Sequence, residues 1–545
     1  MSFIGVDTET EHGRIWCVGQ DDGKSRTATR DWRPLVAATQ ALGIIPIFHN
    51  AGWDLAEFRH EGVEWTNYED TILKAHLLGH HPLGLKALTP IFTGVHLRAY
   101  SEVVGTGKKA VLMDSIAQEV LNYCSMYAWS TYELNRQFQL PPALQSIYEK
   151  EKKITRILMD MKVAGLPIDQ DKLRYGRRTV LKRMAVLENE LQAVGIDEPT
   201  KNTAIARLFW KGKPHKVTTR SKELSTAAEV LRANATAADS WVDALLEWRQ
   251  LAHFQGTYLE GWKGHDVLHP SLNQTGTMTG RFSCSDPNLQ NIPKSKLVSL
   301  YNLFVAPEGW TFISADYSQI ELRVLANSSR DPAMMLAYME GRDLHQETQA
   351  RLGDAFVHYG ITTDDGQRRF AKTINFGIAY GITAYGLAPK LNLPHEGDAQ
   401  RFIDGFYNAY PRVGHWQHEQ IVFGEEHGYV ESLDGRPLYV PCVLAERGRL
   451  RYHGEKQCMN YTIQGGAAEI VKDAMLRAPQ YLRMQIHDEL LYLVPVAEAD
   501  DYYHFLEETL PDTRHIVPYT VSIKAGNTWG DLKALGDIWE EDGDP

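Results

Sequence analysis

A strongly acidic turn, His487-Asp488-Glu489, stands between two apolar runs, LRMQI and LLYLV. Apolar runs on both sides of a short polar turn predict a β-hairpin. Its carboxylates would lie at the rim of a core, where a charge is costly unless solvated, paired or bound to a cation. A second acid, Asp316, follows the strand-like run TFISA and precedes the helical pattern QIELRVLA, so it should sit where a strand ends. For either acid alone, turn chemistry is a sufficient explanation. If the two strands are neighbours, Asp316 and Asp488 could share a pair of Mg²⁺ ions, in the two-metal arrangement for phosphoryl transfer.

A third element bears on that reading. In RRFAKTINFGIAYG, Arg368, Lys372, Phe376 and Tyr380 recur every four residues. At about 100° per residue they span only about 120° of one helical face. Two cations at one end of a stripe and two aromatics at the other suit a triphosphate and a flat base. An amphipathic helix with aromatics in the core and solvated basic residues would give the same pattern.

The chain has 545 residues, a length that suggests about three or four domains. Residues 1–100 alternate strand-like runs (FIGV, RIWCVG, IIPIF) with helical stretches, as in an α/β domain. Asp7 and Glu9 stand two apart at the end of an apolar strand, so they share a face. In HNAGWD, Asn50 is placed to cap a helix and Asp54 to fall in its first turn. From about 145 to 260 the pattern is mostly helical. Five cysteines lack a CxxC spacing, which argues for a reducing compartment and against a disulfide framework or a zinc site. No run of 18 apolar residues and no basic-then-apolar leader is present, so neither a membrane span nor a secretory signal is expected. The net charge of −12 counts against nucleic-acid binding only as a whole-surface sum, because binding depends on local clusters. One such cluster is RLFWKGKPHKVTTRSK, with Arg207, Lys211, Lys213, Lys216, Arg220 and Lys222 and no acid.

DYSQIELR (316–323), RRFAKTINFGIAYG (368–381) and QIHDE (485–489) resemble motifs A, B and C of family A DNA polymerases, in the family's order and spacing. TGRFSCSDPNLQNIP (279–293), GRDLHQ (341–346), GYVESLDGRPLYVP (428–441) and NYTIQGGAAEIV (460–471) resemble further segments of that family. The likeness runs from about residue 145 to the end. It implies that Asp316 and Asp488 bind two Mg²⁺ ions, for which Mn²⁺ can substitute, with Glu489 supporting them. It implies that Glu321 excludes a ribose 2′-hydroxyl, and that Arg368, Lys372, His345 and Gln319 belong to the nucleotide site. Phe376 occupies a position where the family carries Phe or Tyr, and Phe there implies poor acceptance of dideoxynucleotides. Tyr380 would flank the nascent base pair and His487 the primer terminus. Arg281, Asn288, Gln290, Asn291, Asn460 and Gln464 would touch the duplex. Amide and guanidinium donors suit the minor groove, which offers the same acceptors for every base pair. The basic residues Lys211, Lys213, Lys216 and Arg220 fall where the family's thumb grips DNA.

DxE at Asp7 and Glu9 together with NxxxD at Asn50 and Asp54 resembles the DEDD-type 3′→5′ exonucleases that precede the polymerase in this family. The third motif of that type is YxxxD, whose acid completes a metal site held by Asp7, Glu9 and Asp54. This chain reads Tyr123-Cys-Ser-Met-Tyr127, and no Asp between Asp114 and Asp160 replaces it in register. A neutral phenol is a poor ligand for a hard cation, so the exonuclease is expected to be weak or inactive.

The likeness implies a multidomain α/β and α+β protein: an RNase H-like exonuclease domain (1–145), then a right hand of thumb (146–261), palm (262–335 and 426–545) and fingers (336–425). The start at the first exonuclease motif resembles bacteriophage replicative polymerases or a stand-alone large fragment. Primer–template DNA and deoxynucleotides are the implied partners, with replisome proteins such as a helicase–primase or a single-strand-binding protein as further candidates. A monomer without membrane contact, in bacterial or phage-infected cytoplasm, is expected. Two other readings compete: a DEDD nuclease with a degenerate polymerase module, and a non-catalytic primer–template-binding protein. The first is opposed by intact motifs A to C, the second by the presence of both Asp316 and Asp488.

Overall fold

The structure is a computed structural model that describes residues 2–106, 110–213, 217–218 and 223–534. Its N-terminal part is built on a five-stranded sheet in the order Arg26–Thr29, Arg14–Asp21, Phe3–Glu11, Ile45–Phe48, Glu69–Asp70. The first three strands pair antiparallel and the last three parallel. The helix Ala117–Gln137 lies directly on this sheet. Gly5 and Gly19 make that approach possible, because a Cβ at either would run into the helix backbone at Ala128 or Cys124.

The expected strand after TFISA is Trp310–Tyr317, and LRMQI and LLYLV form the hairpin Leu482–Ile486 and Glu489–Pro495. These strands are neighbours in a four-stranded antiparallel sheet completed by Val521–Gly526. The sheet is buried on both faces. Ile313, Ala315, Tyr317, Leu490, Tyr492 and Val494 join one core with the helices Ile320–Ser329, Asp364–Ala379 and Arg449–Arg477. Phe312, Leu491 and Leu493 join another, with the helices Gln170–Gln192 and Trp241–Phe254 of the helical stretch. Period-two alternation thus assigns Asp316, Ser314 and Glu489 to the face of Phe312 and Leu491.

A buried ionic cluster ties the parts together. Glu151 of the helix Pro142–Ala164 meets Arg436 and Lys472, and Arg436 also reaches Glu469. Burial alone would raise Glu151, but Lys472 and Arg436 outweigh it and hold the carboxyl down to about 2. The N-terminal part joins this junction through His76, whose Nε2 lies 2.9 Å from the Thr277 carbonyl. Among the described residues every cysteine is a free thiol, and no helix is long and apolar enough to cross a membrane.

Candidate active site

Asp316 stands opposite Glu489 in the strand ladder, and the Tyr317 N–H donates to the Asp488 carbonyl at 3.1 Å. The acidic turn and the acidic strand end therefore meet at one edge of the sheet. His487 at the turn has φ 54, a left-handed conformation that swings the chain from one strand to the next. Asp316 is open to water at the mouth of the cleft, yet crowding by protein and the charges of Asp488 and Glu489 push its carboxyl up to about 7. Burial also raises Asp488 and Glu489. Glu489 is held by two donors, Ser314 Oγ at 2.7 Å and Trp529 Nε1 at 3.1 Å. Neither donor was signalled by the sequence patterns.

Two acids with raised proton affinity on one rim fit a divalent cation, because its charge offsets the burial that raises both and the repulsion that adds to it at Asp316. Among the described residues no group of three or more His, Cys, Asp or Glu side chains is gathered to hold a metal. Mg²⁺ commonly binds through one or two carboxylates with phosphate oxygens and water completing its shell, which Asp316 and Asp488 suit.

The stripe from motif B lies on the helix Asp364–Ala379. Thr363 caps it by accepting from the Gly366 N–H, and Asp364 and Asp365 favour its positive end. Gly381, at φ +65, ends it immediately after Tyr380. Arg281, Gln319, Glu321, Phe376, Tyr380, His487 and Asp488 line one cleft of about 310 Å³. Phe376 and Tyr380 also border a second cavity of about 490 Å³ on the other flank, with Arg369, Lys372, Lys390 and Lys456. Glu321 is buried and accepts from both Arg281 and the Tyr380 hydroxyl, so motif A and motif B are bonded to each other. His345 packs against Phe376 with ring centroids 5.6 Å apart, and Asn375 Nδ2 lies 3.0 Å from its Nδ1. An amide donor there makes Nδ1 the acceptor and leaves the proton on Nε2. Burial pushes His345 down to about 4, so the ring is neutral at pH 7. Arg368 pairs with Asp343, a residue of GRDLHQ that sequence reasoning left without a role.

The expected duplex contacts divide. Gln290 Nε2 donates to Gln485 Oε1 at 3.1 Å, and Asn288 Oδ1 accepts the Gln290 N–H at 3.1 Å. Asn291 offers its carbonyl to Tyr258. Asn460 and Gln464 are one helical turn apart on Arg449–Arg477, and Asn460 Oδ1 is buried without a partner. Lys211 is exposed. Lys213 is used internally: its Nζ meets Asp239 at 2.8 Å and the Asn234 carbonyl at 2.6 Å, over the Phe209 ring. Lys216 and Arg220 lie outside the described residues.

In the N-terminal part, Asp7 and Glu9 lie on the strand Phe3–Glu11 and Asp54 in the first turn of the helix Ala51–His60. Asn50 precedes that helix in a left-handed conformation but makes no side-chain cap. The capping expectation fails because a side-chain cap needs an extended residue there, and the Asp70 carboxylate instead accepts the N–H groups of Asn50 itself at 3.0 Å and of Ala51 at 2.9 Å. Burial, then Glu9 and Asp54, raises Asp7 well above the carboxylate range, and Asp7 Oδ2 is buried with no partner. Burial and Asp54 lift Glu9 to about 8, and burial lifts Asp54 to about 7 against a 2.7 Å bond from the Thr8 hydroxyl. Tyr127 stands beside these acids. Its ring lies 4.3 Å from that of Tyr123, and its hydroxyl donates to the Arg98 carbonyl at 2.8 Å. Burial pushes the phenol up to about 12, so it carries no charge.

Comparison with known proteins adds an independent finding. The sequence pattern of DNA polymerase family A matches residues 171–531. DNA polymerase I of Chloroflexus aurantiacus is 32% identical over 527 residues, covering 89% of this chain and 55% of that protein. The thermostable DNA polymerase I of Thermus aquaticus is 34% identical, covering 70% of this chain and 48% of that protein. The chain thus spans about half the length of these curated relatives. Among solved structures, the POL domain of Pol1 from M. smegmatis, in complex with DNA primer–template and dNTP, superposes with a TM-score of 0.81. It covers 97% of this chain and 96% of that one at 23% identity, a likeness of fold.

Proposed function

The chain belongs to DNA polymerase family A, and from that premise we propose that it extends a primer 3′-hydroxyl with deoxynucleotides directed by a template. The observation that carries this is the meeting of Asp316 and Asp488 at one sheet edge, with Asp488 lining a cleft shared with the motif B aromatics. In this reading residues 262–335 and 426–545 are the palm, 336–425 the fingers and 146–261 the thumb. Asp316 and Asp488 hold the cations, and Mg²⁺ bound there, or Mn²⁺ in its place, supplies the charge that acidifies the primer hydroxyl and stabilises pyrophosphate. Glu489, kept in place by Ser314 and Trp529, adds negative charge behind them. Arg368 and Lys372 neutralise triphosphate oxygens, and the Nε2–H of the neutral His345 donates to them. Phe376 packs on the sugar and Tyr380 beside the base. Glu321, braced by Arg281 and Tyr380, fills the space a ribose 2′-hydroxyl would need.

Residues 1–145 make an RNase H-like, DEDD-type exonuclease domain with little or no activity in this proposal. The mixed sheet order and the grouping of Asp7, Glu9 and Asp54 support the assignment. The phenol at the third-motif position does not fit a two-ion site: Tyr127 is neutral, packed against Tyr123 and bonded to Arg98. The test of the whole reading is an end-labelled primer on a longer template, with Mg²⁺ and four deoxynucleotides. Extension to the template end is expected. An unchanged primer would refute synthesis, and progressive shortening would refute the loss of the exonuclease.

A further inference from the structure

Asp343 sits where three segments meet: the turn at Gln319, the helix of His345 and the motif B helix. It precedes the helix Leu344–Arg351, and its Oδ1 accepts the His345 N–H at 2.7 Å. The same oxygen receives Gln319 Nε2 at 3.3 Å, while Oδ2 takes the guanidinium of Arg368. Gln319 is the left-handed residue, φ 53, that turns the chain from the strand ending at Tyr317 into the helix Ile320–Ser329. Its Oε1 accepts the Tyr338 hydroxyl at 3.0 Å, so both ends of its amide are fixed. One carboxylate therefore connects the turn after Asp316 to the first residue of the phosphate-binding stripe. Burial alone would raise Asp343, but Arg368 and the His345 N–H outweigh it and keep the group ionised.

We propose that Asp343 is a positioning residue that aims Arg368 and Gln319 into the cleft and yields Arg368 to the triphosphate of an incoming nucleotide. The inference rests on the nucleotide site of the preceding section. The Arg368 side chain is 41% exposed, so its bond to Asp343 is a solvent-accessible ion pair. Such a pair contributes little to stability and can be exchanged without unfolding its surroundings. A triphosphate carries more charge than a carboxylate and accepts a guanidinium fork at least as well. Until then, Asp343 limits the rotamers of a long side chain, so less freedom is lost when the nucleotide binds.

The test measures dATP binding with Mg²⁺ by titration calorimetry, using the full chain without primer–template. The variants are Asp343→Asn, Arg368→Ala and the two combined. Asn keeps an acceptor oxygen for the His345 N–H and for Gln319, so the helix cap survives while the charge is lost. Asp343→Ser, which also caps, serves if the Asn variant folds poorly. Asp343→Asn is expected to weaken dATP binding about fivefold, and to add nothing once Arg368 is Ala, since coupled residues are not additive. Additive losses, unchanged or tighter binding by Asp343→Asn, or no dATP binding by the unaltered chain would overturn the proposal. Coupling in a chain that fails to extend a primer would instead sink the polymerase reading and leave the positioning role standing.

Discussion

Asp316 on the four-stranded sheet and Asp7 on the five-stranded sheet are both crowded by protein and by neighbouring carboxylates, and both are held above the usual carboxylate range. Their surroundings differ in kind. The cleft beside Asp316 contains Arg281, and Arg368 and Lys372 lie on the helix that also presents Phe376 and Tyr380 to it. The wall beside Asp7 and Glu9 is phenolic, with Tyr123 and Tyr127 in tilted contact and Tyr100 edge-on to Tyr123. Clustered acids are thus only half of a phosphoryl-transfer site. The other half is what faces them, and here one cluster faces a guanidinium and flat rings while the other faces packed phenols, with Lys86 as the cation near Glu9.

The comparison breaks most sharply if the acids of the first site are dispensable. Asp316→Asn or Asp488→Asn should each lower primer extension on the order of a thousandfold while duplex binding persists. Extension by either variant at the parent's rate would mean that the chemistry lies elsewhere. Next in size is restoration of the second site. Tyr127→Asp should raise Mg²⁺-dependent digestion of single-stranded DNA by at least about tenfold, the scale on which groups around a metal act. Extension should hardly change, and no gain in digestion would leave the phenol innocent. Lys372→Ala should raise the deoxynucleotide KM about tenfold, read from single-nucleotide incorporation. An effect on kcat alone would move Lys372 away from ground-state phosphate binding.

The last effect, read in stability and leaving the chemistry untouched, concerns how the two regions are joined. Burial holds His76 down to about 4, against an ordinary 6.5, beside the Thr277 carbonyl. As pH falls below 6.5 the unfolded chain takes up a proton that the folded protein refuses. Stability should therefore fall with decreasing pH until about 4 and then level off for this group. His76→Gln should remove up to about 3 kcal/mol of that acid sensitivity in urea unfolding. His49 and His345, also near 4, account for part of the remaining slope. An unaltered acid limb in the variant would show that His76 ionises freely at this junction.

What could be read from the sequence was periodic or local. Apolar runs located Asp316 and Asp488, helical period located the Arg368–Tyr380 stripe, and the family's YxxxD motif singled out Tyr127. What could not be read were partners chosen by tertiary contact. Nothing near Glu489 announces Trp529, nothing near Arg368 announces Asp343, and Lys213 is diverted from DNA by Asp239. Asn50 shows the same limit inside a local rule. A residue type suited to capping precedes the helix, yet its backbone is left-handed there, and a distant carboxylate, Asp70, binds the N–H groups of Asn50 and Ala51.

The close packing at Gly5 and Gly19 has a consequence for heredity. With no side chain between strand and helix, Ala117–Gln137 rests directly on the sheet backbone, which sets position 127 beside Asp7 and Glu9. A tyrosine codon becomes an aspartate codon by a single transversion at its first base. On the proposed reading, a lineage carrying this chain keeps the scaffold for error removal in reserve, and its mutation rate is adjustable by one point mutation without any refolding.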